Sequence, residues 1–86
     1  MKISVELTLT PLSDHYESII KDFIKSLRQS EFKIIETPLS TQIYGDLNEV
    51  MRFLNKKIYN TFLNSENIIM NMKIIKSDRS NYVSNF

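Results

Sequence analysis

The sequence predicts an α+β sandwich in which two helices cover one face of a four-stranded antiparallel sheet. Three observations carry that prediction. The first stretch alternates apolar and polar residues with the two-residue period of a strand, two later stretches repeat apolar residues at helical spacing, and each helical stretch opens on Asp-x-x-Glu. Segments with strand character follow the first helical stretch and flank the second, so the chain reads β-α-β-β-α-β.

The first strand spans residues 3–9, with Ile3, Val5, Leu7 and Leu9 on one side and Ser4, Glu6 and Thr8 on the other. Pro11 ends it, having no N–H for the ladder. Asp14 and Glu17 have the spacing of a helix start, and Tyr16, Ile20, Phe23, Ile24 and Leu27 then share one helical face. Gln29, Ser30 and Glu31 break that pattern before a second strand, Phe32 to Thr37. Thr41 to Tyr44 reads as a third strand and Gly45-Asp46 as a turn, with Asp46 and Glu49 as a capping box. Leu47, Val50, Met51, Leu54 and Ile58 form the apolar stripe of the second helix, with Phe62 near its end. Asn64 and Ser65 close that helix, and Asn67 to Ile75 is the last strand. Residues 1–76 are expected to form one domain; residues 77–86, polar apart from Tyr82, Val83 and Phe86, should be a loose tail or an arm ordered only against a neighbour.

Right-handed crossovers between two βαβ halves lead to the split-βαβ, ferredoxin-like sandwich. Its uncovered face would carry Ser4, Glu6, Thr8, Gln42 and Tyr44, with Ile35 and Ile69 or Asn71 nearby depending on register. Such a face is too mixed for bare solvent and too polar for a core. Pairing between subunits, through sheet faces or edges, would explain it, and a homodimer or tetramer is expected.

Composition removes several classes of function. A net charge of +1, from 11 basic and 10 acidic residues, lacks the cationic excess of a dedicated nucleic-acid binder. With no cysteine there is no disulfide, zinc–thiolate site or cysteine nucleophile. No apolar run approaches the ~20 residues of a membrane span, and Glu6 interrupts any signal-peptide core, so a cytoplasmic location is expected. One glycine builds neither a P-loop nor a dinucleotide fingerprint, His15 stands alone, and no metal-ligand spacing occurs. The expectation is a protein without enzymatic activity, metal or cofactor.

The densest polar segment is Thr37 to Val50, T-P-L-S-T-Q-I-Y-G-D-L-N-E-V. Ser40, Thr41, Gln42 and Tyr44 put four hydrogen-bonding side chains in five positions, more than a structural strand needs. Gly45, the lone glycine, marks a backbone position that other residues tolerate poorly.

Together with the opening V-E-L-T-L-T-P-L and the helix start D-H-Y-E-S-I-I, the block T-P-L-S-T-Q-I-Y-G-D-L-N-E-V-M resembles the YkoF-like thiamine-binding family. The resemblance covers residues 3 to 76, and its most specific part is P-x-S-T-x-I-x-G-[DE]-x-x-E-V. It implies a ferredoxin-like fold assembled into dimers or tetramers. It also implies binding of thiamine or its hydroxymethylpyrimidine moiety without catalysis, in a family one of whose members is associated with thiamine-precursor transport. This chain is a single copy where YkoF carries two in tandem, which makes assembly more necessary, and its C-terminal segment is short.

An aminopyrimidine offers a flat apolar face, an amine donor and ring-nitrogen acceptors, so its site needs an apolar or aromatic wall, hydroxyls or amides, and a carboxylate. Ser40 and Thr41 match the family motif and supply hydroxyls; Thr8 adds a third; Glu6, the odd charge on its strand, can accept from the amine. Tyr16 and Tyr44 are stacking candidates, although Tyr16 also fits the helix stripe as a core residue. Asn71, an amide between Met70 and Met72, suits either a ligand contact or a sheet-interface hydrogen bond. The competing reading is a regulatory or structural domain of the ACT type, which shares this topology and sheet-mediated assembly without a thiamine-type ligand.

Overall fold

The computed structural model describes residues 1–86. Its elements are β1 (Lys2–Pro11), α1 (Tyr16–Arg28), β2 (Lys33–Glu36), β3 (Thr41–Asp46), α2 (Leu47–Leu63) and β4 (Ile68–Lys76). The four strands form one sheet in the order β2-β3-β1-β4 with every pair antiparallel. This is the ferredoxin-like α+β fold that the element order predicts.

Alternation along β1 decides which side is core. Ile3, Val5 and Leu7 are buried against Phe23 and Leu27 of α1, Val50 and Leu54 of α2, and Ile43 of β3. Met70 and Met72 pack onto this cluster from β4. Removing that apolar surface from water, at roughly 25 cal/mol per Å², is what holds the helices to the sheet. The molecule measures 42 × 29 × 19 Å. A thickness of 19 Å is one sheet and one helix layer, each about 10 Å deep, so no third layer covers the other face.

The two helix starts differ. At α2, the Asp46 carboxylate accepts the N–H groups of Asn48 and Glu49 at 3.2 and 3.3 Å, as an N-cap should. The Glu49 side chain does not complete the reciprocal half of a capping box. At α1 the Asp14 carboxylate caps nothing: His15 occupies the N-cap position without a side-chain cap bond. Ser13 takes over locally, its Oγ accepting the His15 N–H at 3.1 Å, so the serine outcompetes the aspartate for that first donor.

Gly45 lies inside β3 and not in a turn; the chain passes from β3 into α2 at Asp46 without a loop. The glycine's φ is not positive. Its constraint is contact: a Cβ there would stand 2.7 Å from Cδ1 of Phe32 and 2.9 Å from Cγ2 of Val50. Phe32 reaches over Gly45 and meets Phe53 edge to face, ring centres 5.5 Å apart.

The first part of the C-terminal segment, residues 77–81, folds back onto the sheet. Ser77, the one residue at positive φ (134°), turns the chain back. The Ser4 hydroxyl then donates to the Ser77 carbonyl and accepts the Arg79 N–H, both at 2.8 Å. Farther on, Lys33 Nζ donates to Asn81 Oδ1 at 3.3 Å. The segment is a strap across one end of the open sheet face, and it explains how Ser4, on the uncovered side of β1, becomes 6% exposed.

Candidate functional site

Strand register orders the open face into rows. Lys33, Tyr44, Ser4 and Ile75 lie in one row across β2, β3, β1 and β4, and Ile35, Gln42, Glu6 and Lys73 in the next. Thr8 and Asn71 pair beyond them, and Thr10 pairs with Ile69. The register thus sets both Asn71 and Ile69 on the open face, two residues apart on one strand.

Glu6 is the centre of this surface. Its Oε2 accepts the Ser40 hydroxyl at 3.1 Å, and its Oε1 lies 4.0 Å from Nζ of Lys73. The loop that presents Ser40 is itself fixed: the Thr37 hydroxyl accepts the N–H groups of Leu39 and Ser40 and donates to the Ser40 carbonyl. Beside Glu6, the Tyr44 hydroxyl donates to Gln42 Oε1 at 2.5 Å, which orients the Gln42 amide and leaves its NH₂ as a donor. Burial beneath the strap raises the Tyr44 hydroxyl pKa, and the nearby Asp78 and Glu6 carboxylates add to the effect. Tyr44 is therefore a neutral hydroxyl at any physiological pH.

Ser4, Glu6, Gln42, Tyr44, Lys73, Ile75 and Arg79, with Val5, enclose a cavity of about 250 Å³ between the sheet and the strap. It combines a carboxylate, amide and hydroxyl groups, one aromatic ring and two cations. A larger hollow of about 690 Å³ lies on the opposite side between α1 and α2, lined by polar groups together with Leu12, Ile19 and Phe23. Each hollow offers three apolar residues; the open-face cavity differs in setting a carboxylate, fixed by the Ser40 hydroxyl, beside an aromatic residue that bears a hydroxyl.

Of the residues singled out in the sequence, Glu6, Ser40, Thr8, Tyr44 and Asn71 come to the open face or its border. Two others do not join them. Thr41 is 6% exposed and pairs with Leu7, so its side chain points to the helix side, where it lines a separate crevice with Ile20, Phe23 and Ile24. Tyr16 stands in the first turn of α1, half exposed, with its hydroxyl on Glu17 at 3.3 Å; it is part neither of this face nor of the core. Gln42, Lys73 and Arg79 are additional lining residues. Gln42 was already expected on the uncovered face; period-two alternation from Asn71 would have found Lys73, and only the strap's fold-back reveals Arg79.

The profile of a thiamine-binding protein family matches residues 5–84, almost the whole chain including most of the strap. Among solved structures, a Streptococcus pneumoniae protein is 26% identical, with a TM-score of 0.85 over 94% of this chain and 92% of its own. A candidate thiamine biosynthesis/salvage protein of Thermotoga maritima is 14% identical, with a TM-score of 0.82 over 99% of this chain and 91% of its own. A domain of unknown function from Bacillus cereus is 16% identical, with a TM-score of 0.75 over 99% and 84%. The last two share the fold. No curated protein matches the sequence.

Proposed function

The chain belongs to the thiamine-binding protein family, and from that premise we propose that its open sheet face binds thiamine or hydroxymethylpyrimidine without transforming it. The observation that carries this reading is the Glu6 carboxylate, held by the Ser40 hydroxyl and bordered by Gln42 and Tyr44 in one cavity. A carboxylate accepts from the exocyclic amine of an aminopyrimidine, the Gln42 amide donates to a ring nitrogen, and Tyr44 with Ile75 gives the ring its apolar wall. Thr8 and Asn71, paired in register one row beyond Glu6, are the next polar groups on this face that a ligand could reach.

At about 250 Å³ the cavity is below the usual 300–1,000 Å³ of drug-sized sites, so it accommodates one ring. The pyrimidine end occupies it, and the thiazolium of thiamine extends outward over β4.

The remainder of the open face favours self-association. Ile69 and Ile75 are 49% and 43% exposed there, and Tyr82, Val83 and Phe86 of the strap are more exposed still. In a chain with so few fully buried side chains, pairing sheet to sheet adds the burial that one copy lacks. We place the protein as a homodimer or tetramer in the cytoplasm; no helix is long and apolar enough to cross a membrane. The same apolar face would also serve an ACT-like regulatory domain that assembles without a thiamine-type ligand.

Titration calorimetry with thiamine, hydroxymethylpyrimidine and an unsubstituted pyrimidine separates the two readings. Saturable binding of the first two only, lost in Glu6→Gln, supports the proposed function. Absence of heat and of thermal shift with both would reject it and leave the assembly domain.

A further inference from the structure

Arg79 enters the open-face cavity from the strap, not from the sheet. Its backbone N–H is fixed by Ser4 Oγ at 2.8 Å, and its side-chain Nε donates to Ser77 Oγ at 2.9 Å. Those two bonds hold the residue at both ends of its stem. The terminal guanidinium nitrogens have no hydrogen-bond or ion partner within the chain. Lys73 lines the same cavity from β4, and its ammonium reaches Glu6 only at 4.0 Å while its side chain stays 74% exposed. The lining thus carries two cations against the single carboxylate of Glu6. The next acid, Asp78, does not neutralise them: its carboxylate accepts the Ser80 N–H at 2.8 Å and faces Lys33 and Lys2. A strained backbone at Ser77, a buried serine used as a hook and an oriented, unpartnered guanidinium are an elaborate arrangement for a surface arginine.

We propose that Arg79 and Lys73 form an anion subsite, so that the cavity prefers the phosphate monoester of its pyrimidine ligand over the free alcohol. This rests on the proposed function of the same cavity. Glu6 takes the ring amine and the guanidinium takes the phosphate carried from the neighbouring ring carbon, by paired N–H to oxygen bonds for which arginine is shaped. Recognition therefore pairs an acceptor on β1 with a donor fork on the strap.

Calorimetry on the intact chain with hydroxymethylpyrimidine and its phosphate monoester tests this at constant ionic strength. The wild-type protein should bind the ester at least about tenfold more tightly, the ratio expected for one charge-assisted pair. In Arg79→Gln, which keeps the backbone bond to Ser4, that ratio should fall to within about twofold, whatever the variant's affinity for the alcohol. In Ser4→Ala the guanidinium remains but is no longer aimed, and the ratio should shrink as well. Equal binding of ester and alcohol by the wild-type protein would overturn the anion subsite and leave the pyrimidine site intact. Undiminished preference in Arg79→Gln would overturn the role of Arg79, and absence of binding by both compounds would overturn the subsite together with the reading beneath it.

Discussion

The hydroxyl of Ser4 and the backbone of Arg79, 75 positions apart in sequence, are joined by a 2.8 Å hydrogen bond, and the same hydroxyl donates to the carbonyl of Ser77. One serine, the third residue of β1, thus holds the C-terminal segment over the sheet. Ser4→Ala removes both bonds. Each is worth about 1 kcal/mol net, but release also lets Ser77 leave its positive φ, which returns about 1 kcal/mol or more. The expected global loss is therefore small, about 1 kcal/mol, and the local effect large. Amide exchange at Arg79 should rise toward the unprotected rate while β1 and β3 amides keep theirs. Persistent protection at Arg79 would mean that other contacts hold the strap.

Gly45 makes a sharper test of packing. A methyl group there meets Phe32 and Val50 at less than 3 Å, and Val50 is fully buried, so the ring of Phe32 must give way and with it the contact to Phe53. Gly45→Ala should destabilise by about 1–3 kcal/mol in urea unfolding. Adding Phe32→Leu, which clears the space, should recover part of that loss, so the double mutant would be more stable than the sum of the singles predicts. Simple additivity would place the strain elsewhere.

What the sequence conveys here depends on the range of the interaction. The period-two run from Ile3 to Leu9 and the capped stripe of α2 are local patterns, so element order, core side and the Asp46 cap could be read directly. Glu6 stood out because a charge on a strand is visible without a partner. Thr41 misleads for a related reason: next to Ser40 it looks like a second ligand hydroxyl, yet adjacent residues on a strand face opposite sides, and its pairing with Leu7 sends it to the core. The strap was illegible because residues 77–81 carry no apolar period; their order comes from a serine hydroxyl at the other end of the chain.

Acid stability should follow two surface carboxylates. Hydrogen bonds from Arg28, Nε at 2.7 Å and Nη2 at 2.6 Å, hold Glu36 below the usual carboxylate range. The Met1 ammonium at 2.9 Å, then the Glu49 N–H, do the same for Asp46. Folded values below the unfolded ones mean that both contributions are complete above the unfolded pKa, near pH 4, and are lost as pH falls through the folded values. The melting temperature should hold from neutrality to about pH 5 and decline below about pH 4. Glu36→Gln should lower the neutral plateau slightly and flatten the decline, modestly because the pair is solvent-exposed. An unchanged acid limb in that variant would remove the Arg28–Glu36 pair from the account.

Ser40 and Thr41 are neighbours whose hydroxyls should behave oppositely. Ser40 Oγ is bonded to the Glu6 carboxylate and helps to aim it, so Ser40→Ala should weaken ligand binding by about 1 kcal/mol, roughly fivefold. Thr41 makes no side-chain hydrogen bond and is almost wholly buried among Leu7, Phe23 and Ile24 at the edge of the helix layer. Exchanging its hydroxyl for a methyl group removes a polar atom that has no protein partner. Thr41→Val should leave binding within about twofold and stability equal or higher, both measurable on one preparation by calorimetry and urea titration. A loss of affinity in Thr41→Val at full stability would move the ligand from the open face to the crevice beneath α1.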